Sequence, residues 1–235
     1  MVGEKVTHRQ EESEGDVVMT KLRAHCLSMS LDGYMAGPAQ SVDNPLGVGG
    51  PKLHEWMFET RAGRSMMGLE DGTDGADSDL VTAGFDGIGA TIMGRNMFGP
   101  VRGPWESADE WTGWWGEEPP FHHPVFVLTH HARPSVEMKG GTVFHFVTDG
   151  IEAALRRAVE AADGQDVRLG GGAATVQAYL RAGLVDELHV ALVPVLLRGG
   201  ERLFDGLDDG PRELEVVEVV QSPGVSHVRL SRPAA

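Results

Sequence analysis

This 235-residue chain is poor in cysteine, in positive charge and in long apolar runs. Cys26 is its only cysteine, which excludes an internal disulfide and a cysteine-rich zinc site. Lys and Arg number 20 against 35 Asp and Glu, a formal net charge of −15. Nucleic-acid phosphates demand a basic surface, so no nucleic-acid partner is expected. A small anionic ligand needs only one or two local arginines and stays open. No stretch approaches the roughly 18 apolar residues of a membrane-spanning helix. Met1 to Asp16 is polar throughout and lacks the apolar centre of a secretory signal. Neither a membrane nor export is expected, and the simple reading of location is cytoplasmic. Residues 1–20 read as a flexible tail, with Met19 a second candidate start, and residues 21–235 as one domain.

What is present is enough for a core, since 41% of the residues are hydrophobic. Leu22 to Ser30 reads as a strand running into an Asp32-Gly33 turn. Lys52 to Thr60 suits a short helix, and Met66 to Asp79 a Gly- and Asp-rich loop. Ser78 or Asp79 is expected to cap a helix reaching Ala83. Strands follow at Gly89 to Met93, Pro124 to Thr129 and Thr142 to Val147. Asp149 is expected to cap an amphipathic helix from Gly150 to about Ala162. Residues 166–182 read as strand, glycine turn and helix. Glu187 to Leu197 reads as a long strand, and Glu213 to Gln221 with Ser226 to Ser231 as a terminal antiparallel pair. Between them, residues 99–124 form a long excursion carrying Trp105, Trp111, Trp114 and Trp115, of the kind that serves as a lid, a cofactor wall or an interface. Alternating strands and helices with a late hairpin predict an α/β fold, a predominantly parallel mixed central sheet flanked by helices.

Two turns carry chemistry. Gly170-Gly171-Gly172, followed by Ala173, Ala174 and Thr175, lets backbone N–H groups and a helix dipole approach an anion such as a pyrophosphate. Gly94-Arg95-Asn96 ends an earlier apolar run with a basic residue. One basic and one glycine-rich turn can hold the two ends of a single nucleotide.

In order and spacing, these turns, the strand ending Ser30-Leu31-Asp32-Gly33, the strand end Val127-Leu128-Thr129 and the run Val185-Asp186-Glu187-Leu188-His189-Val190 resemble the dihydrofolate reductase-like superfamily. Within it the likeness is to the reductase domain of riboflavin-biosynthesis deaminase-reductases and their stand-alone relatives. The resemblance implies NADPH as cofactor. It places Arg95 opposite the adenosine 2′-phosphate, where a planar guanidinium reads phosphate oxygens in pairs. Asn96, Thr129 and His130 would line that end, Gly170 to Thr175 the pyrophosphate, and Met35 and Ala36 the nicotinamide. It also implies a homodimer.

For the substrate, the departures from the family matter more. The acid that a folate reductase carries on its first helix is replaced by Leu53 or His54, and its partner threonine by Ala191, so dihydrofolate is not the expected substrate. The zinc deaminase domain of the bifunctional enzymes is also beyond a chain with one cysteine. Asp32 is either a proton donor near the nicotinamide or simply a turn residue, the turn being favoured. His54 and Trp56 are the substrate-side candidates, although core packing explains Trp56 as well. The pairs His122-His123 and His130-His131 point to opposite faces and are not expected to bind metal. The expected activity is hydride transfer from NADPH to a C=N or C=O of a small heterocycle. The alternatives are a ribosylaminopyrimidine reductase of the riboflavin type and a non-catalytic NADP-binding module.

Overall fold

The computed structural model describes residues 20–99, 103–105, 111–207 and 213–233. Most of the expected N-terminal tail, and part of the tryptophan-rich excursion, lie outside these residues. The strands are β1 (Leu22–Ser30), β2 (Tyr34–Ala36), β3 (Ile88–Gly94), β4 (Pro124–Leu128), β5 (Val136–Glu137), β6 (Val143–Val147), β7 (Asp166–Gly171), β8 (Glu187–Val193), β9 (Glu201–Arg202), β10 (Glu215–Gln221) and β11 (Ser226–Ser231). The helices are α1 (Glu55–Phe58), α2 (Arg61–Ser65), α3 (Ala76–Phe85), α4 (Arg95–Phe98), α5 (Ile151–Ala161) and α6 (Ala173–Arg181).

Nine strands form one sheet in the order β10-β11-β8-β1-β7-β3-β4-β6-β5, while β2 and β9 pair separately. The centre, from β8 through β6, is parallel. The hairpin β10–β11 and the short β5 are antiparallel. This is the mixed sheet with a C-terminal hairpin that the sequence predicts. Side chains alternate between faces along a strand. Leu22, Ala24, Ile92, Val167, Leu169, Leu188 and Val190 therefore share one face with Ala154 and Ala158 of α5 and Val176 and Tyr179 of α6. The opposite face is covered by two separate clusters. Leu53, Trp56 and Val81 pack on Ala191 and Val193 at the β1–β8 end. Phe98, Trp105, Phe121 and Phe144 pack on Met93, Val125 and Val127 at the other.

Four boundaries differ from the sequence reading, each for a physical reason. Helix α3 starts at Ala76, after Gly75 at φ 121°, because the Ser78 hydroxyl is not a cap; it accepts the Ala62 N–H at 3.1 Å. Part of the expected loop before it is therefore helical. The preceding α2 is an unexpected helix, capped by Thr60 Oγ1 accepting Gly63 N–H at 3.0 Å. Asp149 does not cap α5 either, since its carboxylate takes Arg157 at 2.6 Å and Gly150, at φ 87°, occupies the cap position. Strand β8 ends at Val193 rather than Leu197, before Pro194, which has no N–H for the ladder.

Candidate functional site

Three helices begin at one end of the sheet, and each begins at a glycine. Gly94, Gly150 and Gly172 are the cap residues of α4, α5 and α6, and none supplies a side-chain hydrogen bond to the helix behind it. The first N–H groups of each helix therefore have no cap side chain to bond, and α5 and α6, of 11 and 9 residues, each add the positive end of a dipole. All three ends open into one cavity of about 380 Å³. Tyr179 of α6 holds two of them in place, donating its hydroxyl to Ile151 O at 2.7 Å.

Arg95 lines this cavity. Its guanidinium donates to Thr129 Oγ1 at 3.1 Å and to Gly103 O at 3.3 Å. It also lies flat over Trp105, 3.1 Å from the ring centre. Trp105 is fixed in turn by donating its indole N–H to His131 O at 2.8 Å. Beside Arg95, Asn96 Oδ1 is buried with no hydrogen-bond partner, a vacancy a native fold rarely leaves away from a ligand. Gly94 is obligatory for packing, since a Cβ there would sit 2.2 Å from Thr175 Oγ1. Gly172 is different. At φ −75° it could carry a side chain, and a Cβ there would meet only Glu201 Oε2, at 4.0 Å. The space in front of Gly172 is the cradle.

Of the residues expected at the cofactor, Gly94, Arg95, Asn96, Thr129, His130, Gly172 and Thr175 line this cavity. Gly170, Gly171 and Ala173 shape the turn without lining it. Gly171 adopts φ 124°, and Met97 fills the space beside Gly170. Met35 and Ala36 belong to β2, whose partner strand β9 contributes Glu201 to the cavity wall. The sequence reading missed Thr148, Gly150 and Ile151, because Asp149 was taken for a cap. It also missed Glu201, for which the preceding Gly199-Gly200 was the available signal.

The catalytic candidates lie elsewhere. Asp32 accepts Ser30 Oγ at 2.6 Å and the N–H groups of Leu197 (3.1 Å) and Arg198 (2.7 Å). Those bonds, that of Ser30 first, lower its pKa to about 2. Its carboxylate ties the chain after β8 to the β1–β2 turn, which matches the favoured turn reading. Trp56 is buried, donating Nε1 to Ser28 Oγ at 3.0 Å and meeting His227 edge-on at 4.9 Å between ring centres. His54 Nε2, by contrast, is buried without a partner, and burial lowers the ring's pKa to about 4. Leu53 and Ala191 belong to one buried apolar cluster. His122 is bonded to Gly140 O and His123 to Thr91, each at 2.8 Å.

A second polar cluster lies under the hairpin. Cys26 N–H donates to His189 Nδ1 at 3.3 Å, which leaves the proton of that ring on Nε2. His189 Nε2 then donates to His227 Nδ1 at 3.0 Å, and His227 Nε2 to Asp77 Oδ1 at 2.9 Å. One backbone N–H thus sets both tautomers. His25 completes the group, 3.3 Å from Glu187. Burial first, then neighbouring positive charge, lowers the pKa of His25 and of His189 to about 3, so these rings are neutral.

Residues 25–226 match the RibD C-terminal domain. The chain belongs to that family. It is an oxidoreductase with a mixed α/β fold, a mostly parallel central sheet and an antiparallel C-terminal hairpin. No curated protein matches it significantly in sequence. Similar solved structures include a protein assigned to riboflavin biosynthesis from Shewanella sp. PV-4, at 20% identity and TM-score 0.57, with 92% of this chain and 100% of that one covered. A pyrimidine reductase-like protein from Corynebacterium diphtheriae shares 15% identity at TM-score 0.52, over 92% and 93% of the two chains. A diaminohydroxyphosphoribosylaminopyrimidine deaminase/5-amino-6-(5-phosphoribosylamino)uracil reductase from Thermotoga maritima shares 14% identity at TM-score 0.54. That match covers 91% of this chain but 56% of the bifunctional one. At these identities the likeness establishes the fold. Among the described residues, no helix is long and apolar enough to cross a membrane.

Proposed function

We propose that this member of the RibD C-terminal domain family is an NADPH-dependent reductase acting on a small heterocycle other than dihydrofolate. The observation that carries the cofactor is the convergence of the uncapped starts of α5 and α6 and of the Gly94-Arg95 turn on one cavity. Anionic groups bind where helix N–H groups and dipoles point, and a pyrophosphate suits the starts of α5 and α6 in front of Gly172. Arg95, preoriented on Trp105 and Thr129, would read the 2′-phosphate with Asn96 beside it. Glu201 would face a ribose hydroxyl from the far wall. When bound, the cofactor supplies a hydride for a C=N or C=O, while the chain supplies orientation and exclusion of water.

His54 is the catalytic candidate with an atom to spare, a neutral ring whose Nε2 can hydrogen-bond the substrate. The apolar cluster that holds Leu53 and Ala191 offers nothing for a pterin's amino group and ring N–H, which argues against dihydrofolate. The outer edge of β10 is free among the described residues, and Val216, Val217 and Val219 on it are more than half exposed. Such an edge favours pairing with its own copy, hence a homodimer. The net charge of −15 argues against a nucleic-acid partner.

Fluorescence titration with NADPH and NADH tests the cofactor. One charge-assisted contact to the 2′-phosphate gives roughly a tenfold to hundredfold preference for NADPH. Equal affinities would overturn the role of Arg95. NADPH oxidation against a panel of pyrimidines, with dihydrofolate as the expected negative, tests turnover.

A further inference from the structure

Strand β7 carries one charged residue in its buried centre. Val167 and Leu169 face α5 and α6, so Arg168 between them points to the opposite face of the sheet. It is 6% exposed, and its Nε is buried with no hydrogen-bond partner. Among the described residues its guanidinium has one partner, the ring of Phe85 at the end of α3, 4.2 Å away. No carboxylate answers the charge. Cys26 nearby is a thiol, its pKa raised by burial to about 11. The neighbouring rings of His25 and His123 are held neutral, with pKa values lowered to about 3 and about 4, chiefly by burial.

A guanidinium carries five N–H donors, and leaving them buried and unmade is costly. Phe85 covers one face of the plane, which leaves the edge for hydrogen bonds. That edge rises beside the glycine turn, for a Cβ placed on Gly170 would come within 3.2 Å of Arg168 Nη1. The turn is thus two-sided: Gly172 faces the proposed cofactor cavity, and Gly170 faces Arg168 and the side chain of Met97.

We propose that Arg168 is a substrate-recognition residue, binding an in-plane edge of hydrogen-bond acceptors on the heterocycle, either a ring carboxylate or ring oxo groups. A planar fork over an aromatic ring matches a flat pair of acceptors better than a tetrahedral phosphate. The inference rests on the reductase reading for the word substrate, but not for the binding itself.

The probes are orotate, which has both a carboxylate and oxo groups, benzoate, which has the carboxylate alone, uracil, which has the oxo groups alone, and inorganic phosphate. Affinities of the wild type and both variants are read by isothermal titration calorimetry, and contact in the wild type from the NMR signal of the Arg168 Nε–H, identified by its loss in Arg168→Met. In the wild type, orotate is expected to shift that signal saturably, and benzoate against uracil tells which half is read. Arg168→Met should bind orotate at least about tenfold more weakly, and Arg168→Lys, which keeps charge but loses the fork, several-fold more weakly. Removing an unanswered buried charge should raise the Tm of Arg168→Met. NADPH affinity should stay within about twofold in both variants, since Arg168 lies on the other side of the turn. Unchanged orotate binding in either folded variant, no response of the wild-type signal to any probe, or a response to phosphate alone would overturn the proposal. A wild type that binds orotate but not NADPH would sink the reductase reading and leave Arg168 standing.

Discussion

The molecule contains two polar clusters built on opposite rules. Under the hairpin, His189 and His227 are 1% and 0% exposed, and every ring nitrogen of the pair is spoken for, from the Cys26 N–H to the Asp77 carboxylate. At the glycine turns, three helix starts carry no cap, and Asn96 Oδ1 has no partner. A satisfied buried network specifies a structure. A set of aligned but unmade hydrogen bonds is what a binding site looks like before its ligand arrives. The difference shows that burial of polar groups is no functional signal by itself; the unfilled half of the hydrogen bond is.

The comparison breaks most sharply at His227. His227→Ala removes the middle of the chain from His189 to Asp77 and leaves a cavity beside Trp56, so a loss of about 3–4 kcal/mol is expected in urea denaturation. Cofactor affinity in the folded fraction should be unchanged. A loss under about 1 kcal/mol would mean the network is decoration.

Gly172→Val is the mirror experiment. Its backbone tolerates a side chain and its Cβ meets only Glu201, so the fold should survive while NADPH binding falls by about a hundredfold or more. It is a cleaner probe than Gly171→Val, where φ 124° strains any side chain whatever the ligand does. Retained affinity in Gly172→Val would show that no ligand passes that turn. Arg95→Ala comes next, with a loss of roughly tenfold to hundredfold for NADPH and little for NADH.

Acid separates the clusters in another way. The folded pKa values of His25 and His189 are lowered to about 3, below the usual 6.5. Below pH 6.5 the unfolded chain takes up protons that the folded chain refuses, so stability falls as pH drops from about 6.5 towards 3. Carboxylates add their own loss only near and below pH 4, Asp32 among them with its pKa near 2. Urea midpoints at pH 7, 6 and 5 should therefore decline steadily, and a flat profile across that window would contradict the neutral buried rings. The smallest effect is expected at Asp149→Ala, within about 0.5 kcal/mol, because its carboxylate serves an exposed ion pair with Arg157 and no cap.

Much of the fold was legible in the chain because it rests on local rules. β1 and β11 fall where their apolar runs and turn residues placed them, and the strand–glycine–helix unit at 166–182 is there. Gly94, Arg95 and Gly172 were expected at one nucleotide from their two turns and Thr129 from the family resemblance; all four line one cavity, since the carboxyl ends of parallel strands collect at one edge. Caps were misjudged where a polar side chain had a better partner far away in sequence, as Ser78 does with Ala62 and Asp149 with Arg157. Nothing local to the Val167-Arg168-Leu169 run reveals that the charge of Arg168 has no answer.

Taken alone, the sequence determined the α/β class, the parallel centre, the late hairpin and the two turns, because strand periodicity, glycine and apolar spacing act over a few residues. Only the tertiary structure decided which polar groups were paired. His189 and His227 are 38 residues apart, and His227 and Asp77 are 150 apart, so no local pattern could announce their chain. The same holds for the empty side of the ledger. Whether Asn96 or Arg168 lacks a partner depends on what every other element brings to that point in space.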